Sequence, residues 1–180
     1  MSTPFKVMTW NVENLFSPGG SSGPGTQAAF EQKIETLAGV IDALAPDVLA
    51  LQEVGDEAAF EALNNAVDAS YAHGALSSHP DGRGIRVGFL SRLPFKRTED
   101  IFEFPGGALN MVPALDNRAR PTALHHMGRG ALLVEVKPCR GLTLNLITTH
   151  LKSKLITYPR PGGRSSFSPN DEDERARGAG

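Results

Sequence analysis

The sequence predicts an α/β fold, and three features of the chain lead to this class. Two short apolar runs of strand type, residues 5–12 and 47–54, enclose a stretch with the period of an amphipathic helix. Three further runs of strand type follow at 84–92, 130–137 and 142–151. Strands that alternate with helices in this way are typical of a sheet covered by helices.

The composition is that of a folded domain with one core, since 40% of the 180 residues are hydrophobic and 21% are charged. A net charge of −2 provides no overall field that would attract nucleic acid or an anionic membrane, so any attraction for phosphate must be local. The single cysteine, Cys139, excludes an internal disulfide framework. The N-terminus shows no signal peptide, so we predict a cytoplasmic protein. No stretch approaches the roughly 20 apolar residues of a membrane span, so we predict that the chain does not cross a membrane.

The first unit reads as strand, helix, strand. Residues 5–12 carry apolar side chains on both alternating faces, which predicts a strand covered on both sides. Apolar residues then recur every three or four positions from Phe30 to Leu44, which predicts an amphipathic helix that Pro46 brings to an end. The apolar run 47–54 predicts a buried strand. A strand–helix–strand order favours a right-handed crossover between two parallel strands.

The remaining elements are predicted from caps and turns. Asp56 is a plausible N-cap for a second helix. The short turn "PCRG" between the strands 130–137 and 142–151 predicts an antiparallel hairpin. Residues 105–128 show no period, and loops of that length are usually functional or mobile.

The end of the sequence has the features of a helix start, with Ser168 as N-cap, Pro169 at the first helical position and acidic residues in the first turn. Only about a dozen residues follow the cap, which is short for a stable helix. We therefore expect residues 159–180 to be an irregular tail or a truncated helix start. The whole of 1–180 is then the N-terminal portion of one domain.

Two polar residues lie near the ends of the predicted parallel strands. Asn11 lies near the end of the first strand and Glu53 near the end of the second. Because the carboxyl ends of parallel strands meet at one edge of a sheet, the two side chains are expected to lie close together. Amide and carboxylate oxygens suit Mg²⁺, which keeps several waters. The alternative, in which Asn11 caps a turn and Glu53 pairs with a cation, stays open for this pair alone.

A third strand ends in His150, and Lys152 and Lys154 follow at once. Imidazole can move a proton near neutral pH, and the lysines, with Arg129, are candidates for holding phosphate. A solvated, purely structural cluster of cations is the alternative for each residue alone. A metal-type pair beside a phosphate-type His and Lys favours phosphoester chemistry.

Four segments, "MTWNVENLF", "PDVLALQEV", "RGIRVGFLSR" and "LITTHLKSK", resemble in order and spacing the endonuclease/exonuclease/phosphatase family, which pancreatic deoxyribonuclease typifies. The resemblance covers the chain from Phe5 to about Arg177. It implies a four-layer α/β sandwich of the deoxyribonuclease-I-like type, incomplete at the C-terminus. In such a fold two mixed sheets pack face to face with helices outside.

The resemblance also implies roles for residues. Asn11 and Glu53 match positions that help to bind the divalent metal, Mg²⁺ or Mn²⁺, and His150 matches a residue that contacts the scissile phosphate. The implied activity is that of a metal-dependent phosphodiesterase of nuclease type. The implied partner is a phosphodiester substrate, with nucleic acid the first choice.

The chain departs from the family pattern in two places. The later motifs, Gly-Asp-x-Asn and Ser-Asp-His, do not occur in the 180 residues, although the family uses them at the reacting phosphate and for activating water. Where relatives often have a Glu, this chain has "SSHPDGR", with His79 near that position. Two alternatives therefore stay open: a remnant that binds phosphate without catalysis, and a lipid or sugar phosphoesterase of the same family.

Overall fold

The computed structural model describes residues 4–20, 22–104, 113–115, 121–123, 126–151, 158–160 and 164–166. In chain order the elements of these residues are β1 (Val7–Leu15), α1 (Gln27–Leu44), β2 (Val48–Val54), α2 (Glu57–Ala66), β3 (His73–Leu76), β4 (Arg86–Ser91), β5 (Arg97–Glu103), β6 (Pro113–Leu115), β7 (Pro121–Ala123), β8 (His126–Cys139), β9 (Leu142–Thr149), β10 (Tyr158–Arg160) and β11 (Arg164–Ser166). Neither helix in this part of the chain has the length and apolar character that a membrane span needs.

The chain divides into two compact units. Met1–Phe102 and Gly128–His150 form the first, which carries the helices and nearly all of the two larger sheets. Glu103–Met127 and Leu151–Gly180 form the second, in which β6 pairs with β7 and β10 with β11, both antiparallel. That residues 1–180 form one domain stays a prediction.

The first sheet has the strand order β1-β2-β4-β3. β1 runs parallel to β2, with Val7 opposite Val48, so the predicted parallel pairing is confirmed, and the right hand of the crossover stays a prediction. β4 is antiparallel to both β2 and β3. The site is built at the edge of the sheet where β1 and β2 both end.

Both predicted helices are confirmed, and side-chain or backbone caps define their ends. Thr26 Oγ1 accepts a hydrogen bond from Ala29 N at the start of α1. Ala45 takes a left-handed conformation after the last turn, and its N–H donates to Ile41 O at 2.7 Å. Asp56 caps α2 as predicted, since its Oδ1 accepts from Ala59 N at 2.8 Å.

Two hydrophobic cores lie on opposite faces of the first sheet. On one face α1 and α2 pack against it, and the buried residues include Phe30, Ile34, Leu37, Ile41, Leu49, Leu51 and Leu63. On the other face a second sheet, of order β5-β8-β9, covers it, and the buried residues are Val48, Ala50, Val87, Phe89, Leu132, Val134 and Val136. The described residues thus contain helices, a sheet and a second sheet, which are three layers of the predicted four-layer sandwich. The predicted hairpin of β8 and β9 is confirmed.

The prediction that β1 is covered on both faces is wrong. β1 is an outer strand of its sheet, whereas the second sheet contacts the central strands β2 and β4. Val7 is therefore 49% exposed, although Val48 beside it is fully buried. The strand also continues past Val12 to Leu15, because a bulge lets the pairing resume. The predicted helix start at 168–169 lies outside the described residues.

Candidate metal and phosphate site

A bulge shapes the end of β1. The pairing of β1 with β2 shifts register between Asn11 and Leu15, and Glu13 and Asn14 have left-handed φ angles of 51° and 56°. The Oδ1 atom of Asn11 accepts a hydrogen bond from Glu13 N at 2.9 Å. Left-handed backbone in residues other than glycine costs about 1–3 kcal/mol each and concentrates at functional sites.

Glu53 lies in a second irregularity, where the register of β2 with β4 shifts between Gln52 and Val54. Its φ is 64°, and its Oε2 atom accepts a hydrogen bond from Asn14 N at 2.9 Å. The amides of Glu13 and Asn14 are consecutive, so Asn11 and Glu53 each bind the same turn. The structure thus brings the two predicted metal ligands together, and three strained residues hold them there.

His150 directly follows β9 and reaches this pair. Its Nε2 lies 3.5 Å from Glu53 Oε1, and both side chains are half-buried. Gln52, the neighbour of Glu53, donates from its Nε2 to Thr148 Oγ1 at 2.8 Å and to Thr9 Oγ1 at 3.1 Å. One glutamine therefore ties the end of β9 to both parallel strands and sets the distance between His150 and Glu53.

Arg129, on β8, contacts the other side of the histidine ring. Its Nη1 lies 2.7 Å from His150 Nδ1, and its Nε donates to Asp81 Oδ2 at 2.8 Å. Burial and then the charge of Arg129 lower the pKa of His150, and these two effects outweigh the opposing charges of Glu53 and Asp81. His150 is therefore neutral at pH 7.

Asp81 is a member of the site that sequence reasoning missed, because "HPDGRGIRV" reads as an ordinary turn. Burial alone would raise the pKa of Asp81, but hydrogen bonds from Ile85 N, Arg129 Nε and Arg83 N outweigh it and lower the pKa. Asp81 is therefore an ionised partner of Arg129. His79, the residue singled out from this segment, instead stacks on Phe102 with ring centroids 4.3 Å apart.

Lys33 of α1 lies on the opposite side of the pair and donates through Nζ to Glu13 O. Burial lowers the pKa of Lys33, while the charges of Glu13 and Glu53 act in the opposite direction. An open pocket of about 450 Å³ beside β1 is lined by Trp10, Asn11, Val12, Glu13, Lys33, Thr36 and Leu37. Solvent and small ligands therefore have access to the turn that Asn11 binds. Lys152 and Lys154 lie outside the described residues.

The donor chemistry fits Mg²⁺. Within the described ranges, no three His, Cys, Asp or Glu side chains come together in a way that could hold a metal ion. Mg²⁺ does not need such a cluster, because it binds one or two carboxylates and retains waters. Each carboxylate or amide oxygen has two lone pairs, so Asn11 Oδ1 and Glu53 can accept their turn hydrogen bonds and still bind a cation.

The family follows from comparison with known proteins. A sequence model of the Endonuclease/Exonuclease/phosphatase family matches residues 8–173, and the chain belongs to this family. Members are phosphoesterases of the nuclease and phosphodiesterase type. No curated protein matches the chain.

Solved structures of the same fold agree with this placement. The endonuclease/exonuclease/phosphatase from Beutenbergia cavernae DSM 12333 is 25% identical, with a TM-score of 0.51 over 88% of this chain and 39% of that one. A humanized D. rerio TDP2 is 20% identical, with a TM-score of 0.51 over 83% of this chain and 48% of that one. TDP2 from Caenorhabditis elegans is 20% identical, with a TM-score of 0.50 over 83% of this chain and 35% of that one. The deoxyribonuclease-like α/β fold is thereby confirmed, and the chain spans less than half the length of each of these structures.

Proposed function

We propose that the chain carries the metal-binding and phosphate-contacting part of a Mg²⁺-dependent phosphodiester hydrolase of nuclease type. The observation that carries the proposal is the contact of His150 Nε2 with Glu53 Oε1 at 3.5 Å, beside the turn that both Glu53 and Asn11 bind. A proton-bearing imidazole beside a hard oxygen donor pair is the arrangement that an anionic phosphodiester requires.

In this proposal Asn11 Oδ1 and Glu53 hold Mg²⁺ or Mn²⁺. When bound, such a metal stabilises the negative charge that develops on phosphate oxygens. His150 donates its Nε2 hydrogen to an oxygen of the phosphate that the metal neutralises, because Nε2 faces Glu53 and Nδ1 is occupied by Arg129.

Nucleic acid is the proposed substrate class. The family includes endonucleases and exonucleases by name, and the net charge of −2 leaves attraction for phosphate to local cations. Arg83 and Lys33 supply such charge near the site, since Arg83 is largely exposed and Lys33 lies against Glu13. Both charges are close enough to the Glu53–His150 contact to influence a bound phosphodiester.

A second candidate function is metal and phosphate binding without hydrolysis. The observation that favours it is the absence of the Gly-Asp-x-Asn and Ser-Asp-His motifs from the 180-residue sequence, because the family uses them at the reacting phosphate and for activating water. Removing one catalytic element commonly lowers a rate by orders of magnitude. We therefore expect the 180-residue chain to bind metal and to hydrolyse DNA very slowly.

Metal binding tests the feature that both candidates share. Calorimetric titration with Mg²⁺ and Mn²⁺ should show binding that Glu53→Gln weakens by at least about tenfold, since loss of even a secondary partner commonly has that effect. Glu61→Gln is the matched control, because Glu61 is an exposed glutamate on α2, away from the site. Equal affinities for the wild type and Glu53→Gln would remove Glu53 as a metal ligand.

Plasmid nicking then separates the two candidates. Little nicking by the 180-residue chain, followed by activity when the missing motifs are added, supports the hydrolase proposal with these residues as part of its site. Strong nicking that EDTA abolishes and Glu53→Gln removes would mean that the 180 residues suffice for catalysis. An extended chain that binds metal and never hydrolyses a phosphodiester would favour the binding function.

A further inference from the structure

We infer that Asp81 and Arg129 are positioning residues for His150: Asp81 orients the guanidinium, and the guanidinium holds the imidazole with Nδ1 as acceptor and the Nε2 hydrogen facing Glu53. The inference deepens the proposed function, on which its catalytic meaning rests. It also replaces the predicted role of Arg129 as a residue that binds phosphate.

The first step in the argument is the chemistry of the donor. A guanidinium only donates hydrogen bonds, so the 2.7 Å contact of Arg129 Nη1 with His150 requires Nδ1 to accept. The ring hydrogen of neutral His150 is then on Nε2, the atom that lies 3.5 Å from Glu53 Oε1. The Glu53 carboxylate also favours a hydrogen on Nε2, but at 3.5 Å it is beyond normal hydrogen-bond length, so the 2.7 Å contact with Arg129 is the stronger of the two influences on the tautomer.

The second step is the anchoring of Arg129 itself. Its Nε donates to Asp81 Oδ2 at 2.8 Å, and both side chains are half-buried. Asp81 is held in turn, since its Oδ1 accepts from Arg83 N at 2.9 Å and from Ile85 N at 3.0 Å. The two oxygens of Asp81 thus have separate tasks, one closing the turn and one fixing the planar fork of Arg129.

The third step is the contact between the loop that carries Asp81 and strand β8. Gly130 N donates to His79 O at 3.3 Å. A Cβ atom at position 130 would lie 2.9 Å from Ser77 Oγ and 3.1 Å from His79 Cβ, so glycine permits this close approach. Gly130 follows Arg129 directly, which fixes the distance from Asp81 to Arg129 through the backbone as well as through the ion pair.

The loop is also fastened on its other side by Asp100 of β5. Asp100 Oδ1 accepts from Ser77 Oγ at 2.7 Å, and Asp100 Oδ2 accepts from Ser78 N at 2.6 Å. Hydrogen bonds to β8 and to β5 therefore hold residues 77–79, which precede Asp81 in the loop. Such support around a reacting group is what precise positioning requires.

Nitrogen-15 NMR of the histidine ring tests the inference in the full 180-residue chain. Long-range proton–nitrogen correlations show which ring nitrogen carries the hydrogen, and they are recorded at a pH where the ring is neutral. In the wild type, His150 should show one tautomer with Nε2 protonated. Arg129→Met should raise the share of the tautomer protonated on Nδ1, because the donor to Nδ1 is gone and only the longer contact with Glu53 still favours a hydrogen on Nε2.

Asp81→Asn is the second variant, and it is nearly isosteric. To keep its bonds to Arg83 N and Ile85 N, the new amide must turn its NH₂ group toward Arg129 Nε, so two donors face each other. We expect a larger share of the tautomer protonated on Nδ1 here too. Arg83→Met is the control, because Arg83 is 57% exposed and adds a positive charge near Asp81 without a hydrogen bond to His150. It should leave the ring signature unchanged.

The inference is overturned if folded Arg129→Met keeps the wild-type ring signature, or if the wild type protonates Nδ1. If Arg129→Met does not fold, Asp81→Asn decides by the same criterion. Unchanged ring signals together with weakened binding of a phosphodiester in Arg129→Met would instead assign Arg129 to phosphate. The ring measurement needs neither metal nor hydrolysis, so a failed metal titration would remove the proposed function and leave this positioning result standing.

Discussion

At the scale of single residues, the site is defined by three left-handed positions that are not glycine: Glu13, Asn14 and Glu53. Glu53 is a metal ligand in the proposed function. The backbone amides of Glu13 and Asn14 donate hydrogen bonds to the side chains of the two proposed ligands, Asn11 and Glu53. The strain is therefore located in the residues that shape the site, which agrees with a functional origin.

Substitution of Asn14 measures the backbone strain without changing the side chains that are proposed to bind the metal. Asn14→Ala should lower the free energy of unfolding by about 1 kcal/mol, because a Cβ-bearing residue without a local polar side chain is unfavourable in a left-handed conformation. Asn14→Gly should stay near the wild-type value, since glycine adopts this conformation freely. Urea unfolding measures both. Equal stability of the alanine and glycine variants would show that residue 14 is not left-handed in solution.

Asp81 predicts a dependence of stability on pH. The pKa of Asp81 is lowered in the folded protein from its usual value of 3.8. The ionised carboxylate therefore stabilises the fold at pH values above 3.8, and this stabilisation is lost as the pH falls through the pKa of the folded state. The difference in unfolding free energy between the wild type and Asp81→Asn should therefore be constant from about pH 5 upward and shrink below about pH 4. Urea unfolding across this range provides the measurement. A difference that persists at pH 2 would mean that shape rather than charge makes Asp81 stabilising.

The sequence supports the choice of Asn11, Glu53 and His150, because each lies near the end of a strand that can be recognised from its apolar pattern. The coupling of Arg129 to Asp81 has no such signal. The two residues are 48 positions apart in the sequence. An aspartate is common in a turn such as the one that contains Asp81, so its presence there does not indicate a distant partner. Only the packing of that loop against β8 shows what the carboxylate binds.

At the scale of elements, periodicity identified both helices, β2 and the β8–β9 hairpin. The short strands β6, β7, β10 and β11 were not predicted, since 105–128 shows no period and 159–180 reads as an irregular tail. In the first unit β3 and β5 were missed, for different reasons. β3 is a four-residue outer strand, and β5 reads Arg-Thr-Glu-Asp in its first half, so neither has the apolar alternation of a buried strand. Their positions depend on neighbours, β4 and β8, rather than on their own composition.

The connection from β2 to α2 explains why residue 55 is a glycine. A Cβ atom at position 55 would clash with the ring of Phe16, and Gly55 itself is buried. Gly55→Ala should lower the free energy of unfolding by about 1–3 kcal/mol, as overpacking usually does.

A double-mutant cycle with Phe16→Ala checks the cause. The penalty of Gly55→Ala should be mostly absent when Phe16 is already alanine, giving a coupling energy of about 1 kcal/mol or more. Thermal or urea unfolding of the four proteins provides the numbers. Additive effects of the two substitutions would contradict the contact as the reason for glycine.

At the scale of the whole molecule, apolar side chains of the first unit remain exposed on outer strands. Ile147 of β9 is 60% exposed and Val7 of β1 is 49% exposed. The two strands belong to different sheets, and exposed apolar side chains on the outer strand of a sheet favour pairing with another chain. The exposure of these two side chains does not follow from the apolar pattern of the sequence, because the strand order decides which strands are outer.

We therefore expect the 180-residue chain to associate with itself as concentration rises. Ile147→Thr should reduce this association while leaving the melting temperature nearly unchanged, because the side chain is mostly in solvent. Leu44→Thr is the control, since Leu44 is 50% exposed on α1 rather than on a sheet. Sedimentation velocity over a range of concentrations measures the effect, and a monodisperse wild-type monomer throughout would contradict it.

The hydrogen bond from Gln52 to Thr148 joins residues 96 positions apart and has a consequence for the order of assembly. Asn11 and Glu53 both lie within the first 54 residues, so the proposed cation-binding half of the site is synthesised early. His150 arrives only when the β8–β9 hairpin docks, and contacts of such long range form late in folding. In the proposed function, a nascent chain thus carries both cation ligands well before it carries the residue that contacts phosphate.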